Sequence, residues 1–135
     1  METIIEIPVR SNEVDFLGHV NNAKYLEYME WGREDWYKKA DNSFDQLAEK
    51  NIGTATVNIN IDYLGECYRG DLLLIKTVPV KVGNCSFVMS QQIFKKHSGE
   101  KVTDAHVTTV TFDMDTRKSI SVPPDLREKL EVKQI

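Results

Sequence analysis

The chain has 135 residues, 17 Lys and Arg against 21 Asp and Glu, and a formal net charge of -4. That length makes one domain, residues 1–135, with enough chain to bury a sizeable core. A composition of 41% hydrophobic and 28% charged residues is that of a soluble globular protein, and its mild acidity excludes the broad basic surface that nucleic-acid binding requires. Met1 to Arg10 carries Glu2, Glu6 and Pro8 and no apolar core, so no signal peptide is expected there. No apolar run approaches the roughly 20 residues that cross a bilayer. Cys67 and Cys85 lack CxxC spacing and are expected as free thiols. The expected location is the cytoplasm, with no membrane or nucleic-acid partner.

In chain order, Thr3 to Arg10 alternates weakly and predicts a strand, and Ser11 to Val20 predicts a loop containing Gly18. From Asn22 to about Ala40 the period becomes helical. Tyr25, Met29, Gly32, Trp36 and Ala40 recur every three or four residues, and Leu26, Tyr28 and Trp31 widen the apolar surface. A helix so apolar is expected to be wrapped by protein, with Gly32 permitting a close backbone contact. Ser43 and Gln46 have capping-box spacing and predict a short second helix.

After residue 50 the pattern turns to strands. Ala55, Val57, Ile59, Ile61 and Tyr63 alternate with polar residues, and Gly65 to Asp71 predicts a turn. Leu72 to Val82 is the next strand, in which Pro79 signals an edge or a bulge. Gly83-Asn84 makes a turn before the strand of Phe87, Met89 and Ile93, which ends at His97-Ser98-Gly99. Val102 to Met114 is the last strand, where the apolar phase slips between Val107 and Val110 as at a bulge. Pro123-Pro124 predicts a C-terminal helix from Asp125 to about Val132. Short connections favour antiparallel neighbours. The fold class expected is therefore α+β, one antiparallel sheet of about five long strands curled round a long buried helix, with an open edge that invites a second copy.

The stretch Asp15-Phe16-Leu17-Gly18-His19-Val20-Asn21-Asn22, followed by Tyr25, concentrates the chemistry. A carboxylate precedes the N-terminus of a buried helix, whose first N–H groups lack partners and whose dipole is positive. Asn21 suits the N-cap, and an oxygen gaining negative charge would be stabilised by such N–H groups. Gly18 lets the backbone approach a ligand. Taken alone, an Asp in such a loop is more often a cap or turn former, and a single His is more often structural.

The same stretch resembles the 4-hydroxybenzoyl-CoA thioesterase-like family of hot-dog acyl-CoA thioesterases, whose pattern is Asp-x-x-Gly-His-Val-Asn-Asn-x-x-Tyr. Asp15, Gly18, His19, Val20, Asn21, Asn22 and Tyr25 match its named positions. Ile61-Asp62-Tyr63, Gly70-Asp71 after Arg69, and Val122-Pro123 also look like family features. The resemblance implies a hot-dog fold, assembly as dimers or tetramers, and active sites at the dimer interface. It implies hydrolysis of acyl-CoA to acid and CoA, with Asp15 as nucleophile or general base. The backbone N–H of Asn22 would polarise the carbonyl, and His19 would complete the catalytic set by shaping and hydrogen-bonding the site. Gly18, Val20, Asn21 and Tyr25 are assigned to substrate binding.

The motif is also similar to that of plant acyl-ACP thioesterases, Asp-x-Asn-x-His-x-Asn-Asn. Leu17 stands where they have the internal asparagine, so their mechanism is not carried over. An acyl-ACP thioesterase and a non-catalytic acyl-CoA-binding protein are the alternative readings. A hydratase would need a His-centred site, which His97 and His106 do not suggest. The scattered histidines have no metal-ligand spacing, so no metal is expected, and no cofactor beyond the CoA of the substrate.

Overall fold

The alternating segments become neighbours in one sheet. The computed structural model describes residues 1–131. In chain order these form β1 (Thr3–Pro8), a 3-10 turn (Ser11–Glu13), α1 (Asn22–Lys39), α2 (Phe44–Glu49), β2 (Ile52–Tyr63), β3 (Leu72–Val82), β4 (Ser86–Lys95), β5 (Lys101–Asp113) and α3 (Pro124–Leu130). The five strands lie in the order β1-β3-β4-β5-β2, and every neighbouring pair is antiparallel. This is the α+β hot-dog arrangement expected, with β1 and β2 at the two edges. No helix among the described residues is long and apolar enough to cross a membrane.

α1 packs across one face of the sheet, and the core falls into two clusters along it. Its first half sets Tyr25, Tyr28 and Met29 against Leu73, Ile75, Ile93 and Ala105. Its second half sets Trp36, Tyr37 and Ala40 against Phe87, Met89 and the α3 residues Leu126 and Leu130. Gly32 sits where the helix comes closest to the sheet. A Cβ there would lie 2.7 Å from Ile75 Cγ2 and 3.0 Å from Thr77 Oγ1. Gly32→Ala should therefore destabilise: overpacking costs about 1–3 kcal/mol, against a helix-propensity gain of at most about 1 kcal/mol. A lower urea midpoint at unchanged slope is the expected result, and an unchanged midpoint would contradict the close approach.

Beside Gly32 the core is polar. Arg33 is only 9% exposed, and its Nη1 donates to Gln91 Oε1 at 2.9 Å. Gln91, fully buried in β4, donates through Nε2 to the Met29 carbonyl at 2.8 Å and to Thr77 Oγ1 at 2.9 Å. One amide thus ties the cation of α1, the backbone of α1 and a hydroxyl of β3 together.

The Ser43–Gln46 capping box opens α2 as expected: Gln46 N–H donates to Ser43 Oγ at 3.2 Å and Ser43 N–H to Gln46 Oε1 at 2.8 Å. At Pro79 the register against β4 shifts before Lys81, while the pairing with β1 stops at Thr77. Both readings of that proline hold. α3 begins one residue earlier than expected, at Pro124, and Val132 lies outside the described residues.

The bulge expected between Val107 and Val110 is not there. β5 has its own irregularity at Val102, where the register against β4 shifts, but from Thr103 onward it alternates, with Ala105, Val107, Thr109 and Thr111 turned inward and buried. Thr109 and Thr111 are polar residues at core positions, and this made the apolar phase look broken. Thr111 satisfies its hydroxyl by donating to the Ile120 carbonyl at 2.8 Å. Opposite Thr108 and Thr109 the irregularity lies across the ladder in β2, between Thr56 and Asn58. There Val57, 57% exposed, is the extra residue on an edge strand.

Candidate active site

The loop between β1 and α1 is shaped by backbone hydrogen bonds that converge on Asp15. Its N–H donates to the His19 carbonyl at 2.8 Å, and Gly18 N–H donates to the Asp15 carbonyl at 2.9 Å. Such a turn needs a left-handed residue, and Gly18 supplies it at φ +87°. No neighbour lies within 4 Å of where its Cβ would stand, so conformation and not crowding demands glycine. Gly18→Ala should cost about 1–2 kcal/mol of loop stability. Thiol-release activity should fall with little change in melting temperature, and retention of full activity would argue against a fixed turn.

The Asp15 carboxylate is exposed. Its Oδ1 accepts from Leu17 N–H at 2.9 Å and from His19 N–H at 3.2 Å. Oδ2 has no partner among the described residues, so one oxygen is anchored and the other is presented outward. Phe16 and Leu17, at the tip beside it, are 96% and 65% exposed. With exposed Tyr63, Leu64 and Tyr68 they supply apolar surface that water does not favour, the usual mark of a contact site.

The helix end expected to hold an oxyanion is open. Asn21 is the N-cap; its Oδ1 accepts from Ala23 N–H at 2.9 Å and its carbonyl from Lys24 N–H at 2.9 Å. The N–H of Asn22, the first residue of α1, has no acceptor among the described residues. The Asn22 carbonyl accepts from Tyr63 Oη at 3.3 Å, which ties the end of β2 to this helix terminus.

The other motif residues build the floor. Val20 is buried at 6% exposure and donates its N–H to the Cys67 carbonyl at 2.9 Å. Tyr25 is buried, and its hydroxyl accepts from Cys67 N–H at 3.2 Å. Burial is the main reason that the Tyr25 phenol is held far above its usual pKa. These contacts fasten the segment 64–71, which leads from β2 to β3, across the start of α1. Cys67 is buried there and its thiol is pushed up by burial, which makes a thiolate nucleophile unfavourable.

That segment brings residues that the motif did not include. His19 Nε2 lies 3.5 Å from Glu66 Oε2, and Tyr68 Oη donates to the same Glu66 oxygen at 2.9 Å. The His19 ring meets Tyr68 edge-on at 5.2 Å, and the two residues also pair through their backbones. The hydrogen bond to Glu66 is the first cause of the raised Tyr68 phenol pKa. Lys95 Nζ lies 5.3 Å from the Tyr68 ring centroid and 3.4 Å from Glu100 Oε2. His19 is therefore engaged with Glu66 and Tyr68, at the side of the Asp15 turn. The sequence signal for Glu66 and Tyr68 was only their place in a Gly-bounded turn. Among the described residues no group of three or more His, Cys, Asp or Glu is placed to hold a metal ion.

Residues 9–130 match the family model described as the Thioesterase-like superfamily. The chain belongs to this superfamily. It is 39% identical over 126 residues to the long-chain acyl-CoA thioesterase FadM of Escherichia coli, with 93% of this chain and 95% of the relative covered. Among solved structures, the probable thioesterase YbaW of Escherichia coli is 36% identical, with 96% of each chain covered and a TM-score of 0.78. A 1,4-dihydroxy-2-naphthoyl-CoA thioesterase from Synechocystis superposes at a TM-score of 0.89 over 96% of each chain at 18% identity, a likeness of fold alone. Membership makes the chain a thioester hydrolase and its fold a hot-dog fold.

Within this superfamily fold a cleft also lies away from Asp15. It lies between α1, α2 and β2, with a volume of about 490 Å³, and is lined by Arg33, Tyr37, Phe44, Leu47, Thr54 and Phe112 among others. Arg33 stands 11 residues beyond Asn22 in α1, about 16 Å along the helix at ~1.5 Å per residue. Within one chain, the Asp15 turn and this cleft lie towards opposite ends of the central helix.

Proposed function

We propose that this protein hydrolyses acyl-CoA thioesters to a free carboxylic acid and CoA, with Asp15 as nucleophile or general base. The observation that carries this reading is the pairing of an outward, unpartnered Asp15 Oδ2 with an unpartnered N–H at the start of α1. The thioester carbonyl oxygen accepts from Asn22 N–H, where the helix dipole favours the charge that develops. In the nucleophilic route Asp15 Oδ2 bonds to the carbonyl carbon, the C–S bond breaks, and CoA leaves as thiolate. Water then cleaves the mixed anhydride, releasing the acid and restoring the carboxylate. In the general-base route Asp15 takes a proton from the water that attacks the same carbon. A thiol of pKa about 8.5 leaves without a strong acid, so one carboxylate and one oxyanion site suffice.

Gly18 and Asn21 set the turn and the cap, Val20 and Tyr25 fix the floor, and His19 borders the site with Glu66. Beyond the CoA of the substrate no cofactor is invoked. The open β2 edge, with Val57 exposed, supports self-association as a dimer or tetramer. A cytoplasmic location fits this substrate. The test is a thiol-release screen over acyl-CoAs of graded length, aryl-CoAs included, beside an acyl carrier protein series. Equimolar thiol and acid from acyl-CoA are expected. Release from the carrier-protein thioesters alone would overturn the assignment to CoA, and binding of acyl-CoA without thiol release would overturn hydrolysis.

A further inference from the structure

The Asp15 turn meets the start of α1 through a short backbone ladder. Val14 and Val20 face each other as an antiparallel bridge. One rung runs from Asp15 N–H to the His19 carbonyl at 2.8 Å, and another from Asn21 N–H to the Glu13 carbonyl at 3.2 Å. This ladder sets where the Asp15 carboxylate stands relative to Asn22 N–H. Gly18 closes one end of it, and Glu13 stands at the other.

Glu13 is the one acidic residue buried among the described residues, only 5% exposed. Its N–H donates to the Arg10 carbonyl at 3.0 Å, and its Oε1 accepts from Arg10 N–H at 2.8 Å. A glutamate that served this cap alone could stay in water, whereas burying a carboxylate forfeits hydration. The buried side chain also reaches α1. The Tyr28 phenol there is fully buried, and its pKa is raised first by burial and next by the charge of Glu13. Tyr28 Oη has no hydrogen-bond partner, so that influence acts through space.

We propose that Glu13 is a positioning residue for the reaction: its side chain fixes residues 10–13 beneath α1, and its carbonyl thereby holds the Asn21 rung that sets the Asp15 carboxylate against Asn22 N–H. The proposal rests on the functional reading above. The Asn21 rung, at 3.2 Å, is at the long end for an N–H···O bond, so its length depends on the frame behind it. A displacement of about 1 Å at a reacting centre costs on the order of a hundredfold in rate.

The test uses the full chain and an acyl-CoA that the parent protein hydrolyses. Glu13→Ala should lower kcat by tenfold to a hundredfold and leave KM within threefold. Glu13→Gln keeps an oxygen for Arg10 N–H and should restore kcat to within threefold of the parent. Because Glu13 acts through Asp15, adding Glu13→Ala to Asp15→Asn should lower the residual kcat by no more than twofold. Amide exchange supplies a readout besides activity: in Glu13→Ala the Asn21 N–H should exchange at least tenfold faster, with the β4 amides unchanged. Faster exchange in β4 by the same factor would make Glu13 a stability residue and overturn the proposal. So would full kcat in Glu13→Ala, no rescue by Glu13→Gln, or losses that multiply in the double variant. Full activity in Asp15→Asn would remove the functional reading instead, and the Asn21 exchange would still decide whether Glu13 holds the turn.

Discussion

Asp15→Asn should lower kcat for thiol release by about a thousandfold, within the range that a positioned acid–base or nucleophilic group contributes, while the melting temperature stays within a degree or two. The amide is the same size as the carboxylate. Its oxygen can still accept from Leu17 and His19 N–H, the bonds that now hold Oδ1, so the turn survives. What changes is the atom facing outward, which becomes an NH2 group with neither a lone pair to attack nor basicity to take a proton. Asn22 N–H is untouched, so KM should move far less than kcat. Activity within tenfold of the parent protein would remove Asp15 from the chemistry. A fall in melting temperature matching the loss of activity would mean that the carboxylate serves the loop alone.

The largest stability effect is expected at a residue remote from the site. Gln91→Leu should destabilise the protein by about 3 kcal/mol, because a buried polar group stripped of its partner costs 1–3 kcal/mol, more where the group is charged. Leucine fills a similar volume but cannot accept from Arg33 or donate to the Met29 carbonyl and Thr77. The guanidinium would then lose the acceptor it holds at 2.9 Å. For a chain of this size the loss corresponds to roughly 10 °C in melting temperature, measurable by calorimetry. A shift below 2 °C would show that water or local rearrangement replaces the amide.

These two residues also mark how far the sequence could be read. Asp15 was visible because its partners lie within ten residues of it, in a motif where turn, cap and helix follow one another. The strands were visible where inward positions were apolar, as with Phe87, Met89 and Ile93 in β4. Legibility ended where the core turned polar. Thr109 and Thr111 face inward, so the β5 pattern looked broken and the bulge was placed one strand away from its position at Val57. Arg33 and Gln91 are 58 residues apart in the chain, and each alone looks like a surface residue; their burial follows only from the pairing. Glu66 and Tyr68 escaped for the same reason. Their link to His19 depends on the crossing of segment 64–71 over α1, a tertiary event with no local periodicity.

The turn around Asp15 has a consequence for how this protein can change. Its carboxylate is positioned by N–H groups of residues 17 and 19, which any residue but proline provides, and by the glycine at 18. The side chains of Phe16 and Leu17 take no part in that framework and project almost freely. Positions 16 and 17 can therefore be substituted broadly while the Asp15 carboxylate keeps its place, so the surface beside it can drift or be engineered without rebuilding the turn.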